Sequence, residues 1–304
     1  MVSRKLVIGI CTYKRPELIL LALDSVNKAL IPDSIEPVIV VVDNDPVGSA
    51  QLLIENYSKT SAITIYYSLE KNRGIPFARN NFLRISGELG ADLVAFIDDD
   101  EIVDPLWLAH LIKSYDETDA DCVLGYVKTV YPEDTPEWIV VNRLFQREQM
   151  AHHLLLETAN SGNILFDYHK FVGDLSLYFN ESFGLTGGSD AEYFNRAVLS
   201  GCIIRWVSDS VVYEPLEKKR MSYSYYFKRA FRTSNDKTFF RKSLSFKVKM
   251  LFKSWIYLNY AVISLPFRTI FVKYGYIKSL TYLLRGIGFT LACLGIYINW
   301  KEYR

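Results

Sequence analysis

Four short runs of apolar, largely β-branched residues punctuate the first hundred positions, and three of them end abruptly in polar or acidic groups. Residues 6–11 lead into Thr12-Tyr13, residues 38–42 into Asp43-Asn44-Asp45, and residues 93–97 into Asp98-Asp99-Asp100-Glu101; residues 63–67 form the remaining run. Between them, residues 16–30, 47–57, 75–86 and 105–115 carry apolar groups at helical spacing. In the first of these, Leu18, Ala22 and Val26 share a face and Pro16 stands near the start. Apolar strands without polar alternation must be covered on both sides, so the pattern predicts an α/β fold with a mostly parallel sheet and helices on both faces. In such sheets ligands bind at the carboxyl ends of the strands. The bursts after residues 11, 42 and 97 should therefore meet in one crevice.

The acidic run is the most specific local signal. Carboxylates crowded at the end of a buried strand repel one another unless a cation neutralises them. Mg²⁺ and Mn²⁺ prefer such hard oxygen ligands together with substrate phosphate. Alternate extended residues point the same way, so Asp98 and Asp100 are expected to face one site. Phosphate cradles of other kinds are missing from the sequence: no GxGxxG follows the first strand, there is no GxxxxGK[ST], and there is no GxSxG elbow. The four cysteines (11, 122, 202, 293) and four histidines (110, 152, 153, 169) form no set with metal-ligand spacing.

The blocks above also resemble a known family. The opening Ile8-Gly9-Ile10-Cys11-Thr12-Tyr13-Lys14-Arg15-Pro16 is followed in order by Val41-Val42-Asp43-Asn44, by Asn72-Arg73-Gly74 with Ala78-Arg79-Asn80, by Asp98-Asp99-Asp100, and by Gly187-Gly188-Ser189-Asp190-Ala191-Glu192. This ordered set resembles the family 2 glycosyltransferases, in particular the bacterial branch that builds polysaccharides and lipid-linked saccharides. The resemblance implies a GT-A fold, an inverting reaction, a nucleotide-sugar donor (UDP-linked) and a divalent cation, Mg²⁺ or Mn²⁺. It implies that Thr12 and Tyr13 line the nucleotide pocket, that Asp43 accepts a hydrogen bond from the base, that Arg79 lies near the donor, and that Asp98 sits near the ribose or sugar. Asp100 would hold the metal in the DxD motif, and Asp190 would be the general base. Two departures stand out: Ser189 where many relatives have Glu, and Val212-Tyr213-Glu214-Pro215 where some have a metal-binding His. Glu214 and Arg220 are candidates for contacts to the metal or the diphosphate. Asp190 also opens an expected helix over residues 190–199, where a carboxylate serves as a cap.

A net charge of +1 conceals a division. Residues 1–217 carry a balance of −15, and residues 218–285 carry +15 with Asp236 as their single acid. The chain is therefore read as a GT-A domain over residues 1–217 and a basic, aromatic-rich helical region over 218–304. Cations interleaved with aromatic stretches suit an anionic lipid surface better than nucleic acid. Residues 254–272 and 279–300 are mostly apolar, each with a single Arg, and are expected to be interfacial or re-entrant helices, the second anchored by Tyr297, Trp300, Lys301 and Arg304. With no signal-peptide pattern at the start, the catalytic part is expected at the cytoplasmic face of the membrane, acting on a saccharide acceptor carried on lipid. Two other readings share some of these features: a sugar nucleotidyltransferase, and a non-catalytic membrane-bound nucleotide-sugar sensor.

Overall fold

The computed structural model describes residues 3–184, 187–235 and 244–298. The elements follow in the order β1 (Arg4–Thr12), α1 (Pro16–Asn27), β2 (Ile35–Asp43), α2 (Gln51–Ser58), β3 (Thr64–Leu69), α3 (Ile75–Glu88), β4 (Leu93–Asp98), β5 (Ile102–Val103), α4 (Trp107–Glu117), β6 (Cys122–Val130), α5 (Glu137–Val141), β7 (Ile164–Asp167), α6 (Ser189–Leu199), β8 (Ile204–Pro215), α7 (Tyr223–Ser234), α8 (Leu244–Phe271) and α9 (Tyr276–Cys293). They fall into two compact units. The first comprises Met1–Lys128 and Arg147–Glu214, the second Thr129–Gln146 and Pro215–Arg304.

The first unit is built on one sheet with strand order β3-β2-β1-β4-β7-β6-β8-β5. Its first half is parallel, as the apolar runs predict. The second half is not: β7 runs antiparallel to β4, β6 antiparallel to β7, and β5 antiparallel to β8. The sheet is therefore mixed. The longest strand, β8, runs unbroken for 12 residues.

Burial on both faces explains the unbroken hydrophobicity of β1. Leu6, Ile8 and Ile10 pack into a cluster with Ile19 and Leu23 of α1 and with Trp107 and Leu111 of α4. Val7 joins the opposite cluster with Val40, Val42, Phe82 and Phe96. Each such side chain, fully buried, contributes about 1.5–3 kcal/mol. Gly9 sits where α3 crosses the sheet; a Cβ there would lie 2.6 Å from the Phe82 ring, so only glycine permits this approach. The parallel register sets Thr12 opposite Asp43 and Cys11 opposite Asp98, which brings three strand ends together.

The expected division at residue 217 is moved. Residues 129–146 leave the first unit because Trp138, Ile139, Leu144 and Phe145 pack with Leu216, Tyr226, Phe227 and Ile277. Trp138 stacks on Tyr223 with ring centroids 4.2 Å apart. In the same unit α9 packs against both α7 and α8. No helix among the described residues is long and apolar enough to cross a membrane. Trp300, Lys301 and Arg304 lie outside the described residues.

Candidate active site

The end of β1 supplies Thr12, 3% exposed, whose Oγ1 donates to Asp99 Oδ2 at 2.8 Å. The guanidinium of Arg15 lies 2.9 Å from Asp99 and 3.2 Å from Asp100. It comes from the residue just ahead of α1, held there by Pro16 at the first helical position. Tyr13 is half-buried, with the charged ends of Arg73 and Lys14 at 5.1 and 5.4 Å from its ring centroid.

At the end of β2, Asp43 is fully enclosed. Its Oδ1 accepts from the Asp45 N–H at 2.9 Å, and its Oδ2 accepts from the Ala50 N–H at 2.8 Å and the Tyr67 hydroxyl at 3.2 Å. These bonds wind residues 45–50 into a turn, and helix α2 starts at Gln51 rather than at residue 47. As placed, Asp43 shapes the wall of the strand-end crevice instead of presenting an open carboxylate. Asn44 next to it fixes the following loop: its Nδ2 donates to the carbonyls of Glu70 and Asn72, and its Oδ1 accepts from the Gly74 N–H. Gly74 has φ 140°, and a Cβ there would lie 2.8 Å from the Gly184 carbonyl oxygen, so the turn into α3 requires glycine.

Arg79, buried in α3, joins two parts of the site. One of its terminal nitrogens lies 3.8 Å from Asp98, and the other donates to Ser189 Oγ at 3.4 Å. Its guanidinium rests over the Phe179 ring at 5.4 Å, and Asn80 clamps the Phe179 backbone from both sides. Ser189 thus receives Arg79 one residue before Asp190. Helix α6 begins at Ser189, capped by Gly188 with φ 88°. This corrects the expectation that Asp190 is the cap. Asp190 lies inside the first turn, its Oδ1 accepting from the Ala191 N–H at 3.0 Å, where the helix dipole favours a negative charge.

The acids after β4 divide their tasks. Asp98 is half-exposed and keeps an oxygen toward Arg79. Desolvation raises its pKa, Arg79 and Arg147 pull it down, and the charges of Glu214 and Asp190 push it up again. That mutual influence brings Asp98, Asp190, Glu214, Arg79 and Arg147 into one electrostatic neighbourhood. Burial also raises Asp99, opposed by Arg15 and Thr12. Glu101 is 1% exposed. Its Oε2 accepts the Asp98 N–H at 2.9 Å, while its Oε1 has no hydrogen-bond partner among the described residues. Burial, reinforced by Asp98, holds Glu101 well above the ordinary carboxyl range. Gly162 is the floor here, for a Cβ would stand 2.5 Å from Glu101 Oε1. Arg147 completes the ring by approaching Glu214 at 3.1 Å.

Among the described residues, no three His, Cys, Asp or Glu side chains are arranged to hold a metal ion on their own. A cation bound through one or two carboxylates, with phosphate and water completing its shell, is the habit of Mg²⁺. The donor set fits that mode: hard carboxylate oxygens, pKa values raised by desolvation, and a buried Glu101 oxygen without a donor among the described residues. Asp100 is 8% exposed and shares Arg15 with Asp99, so a cation there would meet a resident guanidinium. Arg220, the other candidate, belongs to the second unit, where it lies 3.0 Å from Glu217.

Arg15, Asn44, Glu101 and Arg147 were not assigned roles from the sequence. The first three stand inside or beside the quoted blocks, so adjacency to the motifs was their available signal. Arg147 lies in an irregular stretch without periodicity or motif and had none.

Comparison with known proteins places the chain in a family. Residues 7–183 match the family described as Glycosyl transferase family 2. The succinoglycan biosynthesis protein ExoM of Rhizobium meliloti (strain 1021) is 31% identical over 228 residues, which cover 74% of this chain and 72% of ExoM. Among solved structures, S. aureus TarS residues 1–349 in complex with UDP-GlcNAc superposes with a TM-score of 0.57 at 16% identity, covering 98% of this chain and 94% of that one. The chain spans 46% of a longer TarS structure. The mannosyltransferase PcManGT of Pyrobaculum calidifontis, in complex with GDP-Man and Mn²⁺, gives a TM-score of 0.55 at 20% identity, with 77% of this chain and 62% of that one covered. At these identities the structural likeness establishes the GT-A fold. Asp190, Glu214 and Arg220 lie beyond the family match.

Proposed function

The chain belongs to glycosyl transferase family 2 and is a glycosyltransferase, and from that premise we propose that it moves a sugar with inversion from a UDP-sugar to a hydroxyl of a lipid-linked saccharide at the cytoplasmic face of the membrane. The observation that carries the catalytic reading is Arg79, which reaches Asp98 at 3.8 Å and Ser189 at 3.4 Å and so ties the strand-end acids to the residue beside Asp190. A nucleotide-sugar laid across the ends of β1, β2 and β4 would set its nucleoside along Thr12, Tyr13 and the Asp43 turn. Its diphosphate would lie toward Asp98 and Asp100, with Arg79 near the sugar.

In the proposed step the acceptor oxygen attacks the anomeric carbon as the bond from that carbon to the diphosphate oxygen breaks. The hydroxyl proton passes to the Asp190 carboxylate, and the electron pair of the broken bond leaves with the diphosphate. One displacement inverts the anomeric centre. Arg79 and Arg147 keep Asp98 toward its charged form against the desolvation that opposes it. A divalent ion held through Asp100 beside Asp98 would neutralise charge on the diphosphate. The Mn²⁺ complex of PcManGT supports that cofactor.

ExoM, named for polysaccharide biosynthesis, supports a saccharide acceptor. The basic stretch 218–285, with a single acid, supports a membrane location. The test is a panel of nucleotide sugars incubated with Mg²⁺ or Mn²⁺ and lipid-linked acceptors. Acceptor-dependent release of nucleoside diphosphate is expected. Pyrophosphate release from a nucleoside triphosphate, or tight donor binding without turnover, would overturn the reading.

A further inference from the structure

We propose that α8 lies flat on an anionic bilayer through one continuous apolar ridge; this deepens, and rests on, the membrane location proposed above. The helix has 28 residues, about 42 Å at 1.5 Å per residue, and contains no acid. Val248, Phe252, Trp255, Val262, Ile263 and Ile270 are all exposed, from 58% for Val248 to 74% for Ile270. At about 100° per residue these six fall within a sector roughly 100° wide, so they form one stripe along the helix.

The opposite face is committed to α9. Ser254 Oγ donates to the Gly286 carbonyl at 2.6 Å, Ser264 and Ser279 hydroxyls meet at 2.9 Å, and Ala261 is buried. A Cβ on Gly286 would lie 2.8 Å from the Leu258 side chain, so the two helices approach as closely as glycine allows. The polar seam of this hairpin is turned inward and the ridge outward, the reverse of an ordinary water-facing helix.

Lipid rather than a second copy of the chain is indicated by charge. Lys249 and Lys253 lie along one flank of the stripe. With no acid on α8, two copies meeting ridge to ridge would bring these lysines together uncompensated. Beside a bilayer the same lysines reach anionic headgroups while the ridge enters the acyl boundary.

The test uses the full chain and vesicle flotation. The variant Trp255→Gln/Val262→Gln/Ile270→Gln changes exposed positions only, and circular dichroism and thermal melting verify its fold. Wild type is expected to float with mixed phosphatidylglycerol–phosphatidylcholine vesicles at low salt and less with phosphatidylcholine alone. The triple variant should partition roughly 100-fold less, with transfer to a soluble acceptor unchanged. Flotation of the triple variant like wild type would overturn the ridge while leaving the membrane location standing. If wild type binds no vesicle, the location itself fails, and the ridge with it. Equal binding to neutral and anionic vesicles would overturn the lipid charge assignment. Light scattering showing a wild-type dimer and a monomeric variant, neither floating, would make the ridge an interface between copies.

Discussion

In the proposed account, a few atoms set by backbone register at the ends of β1, β2 and β4 carry the chemistry, whereas along α8 the task of meeting a partner is spread over 28 residues. Asp98, Asp99 and Glu101 have pKa values raised by desolvation and tied to one another's charges, so one charge added or removed changes the whole cluster. The exposed ridge of α8 has no such coupling, and each of its side chains adds its own increment of apolar area. Concentrated charge gives a site that single substitutions destroy; distributed apolar area gives a surface that they only wear down.

That contrast can be broken at either end. The largest effect is expected for Asp98→Asn combined with Asp100→Asn, which should lower kcat/KM by about 10³-fold or more through lost stabilisation of the leaving diphosphate. Steady-state kinetics with Mn²⁺ titration checks it, and retention of metal-dependent turnover would sever these acids from the chemistry. Next, Arg79→Ala should cost roughly 10²-fold in kcat/KM, because Asp98 loses its nearest cation and Ser189 its donor. A variant whose loss is confined to thermal stability would reduce Arg79 to a packing residue.

A smaller effect concerns pH and stability without metal. The folded chain holds Glu101 above the ordinary glutamate value of about 4.3. Its contribution is therefore fully present below that value and lost as pH rises through the elevated one. Glu101→Gln stays neutral, and its Tm should fall less than wild type's across that rise. Equal slopes for the two proteins would contradict the assignment. Gly162→Ala probes the same spot sterically: a Cβ 2.5 Å from Glu101 Oε1 should destabilise the fold by about 1–3 kcal/mol in denaturant unfolding. The smallest effect belongs to the ridge. A single Trp255→Gln should weaken vesicle binding only several-fold, and complete loss from that one change would mean α8 is not a distributed surface.

The parallel half was legible because its signal is local. Burial on both faces makes a strand a continuous apolar run, and the runs over 6–11, 38–42 and 93–97 fall within β1, β2 and β4. The antiparallel half was not, since β7 has four residues and its partners lie about seventy residues upstream in β4 and about forty in β6. Periodicity carries no information about that pairing. Within the site, Asp98, Arg79 and Asp190 could be named from motif order, and the structure sets them in one electrostatic neighbourhood. Asp43 shows the limit: its enclosure depends on which way residues 45–50 turn back, a matter of side-chain-to-backbone bonds that spacing does not encode. For α8 the apolar content was readable, but which face is left outward follows from where α9 packs, a tertiary fact.

The role of Asp190 bears most directly on the whole proposal, and it is tested by comparing donor affinity with single-turnover transfer in Asp190→Asn. Calorimetric donor binding should match wild type, while glycosyl transfer to the acceptor falls to background. A variant that transfers sugar at the wild-type rate, or one that loses donor binding and transfer together, would contradict Asp190 as the group that takes the acceptor's proton.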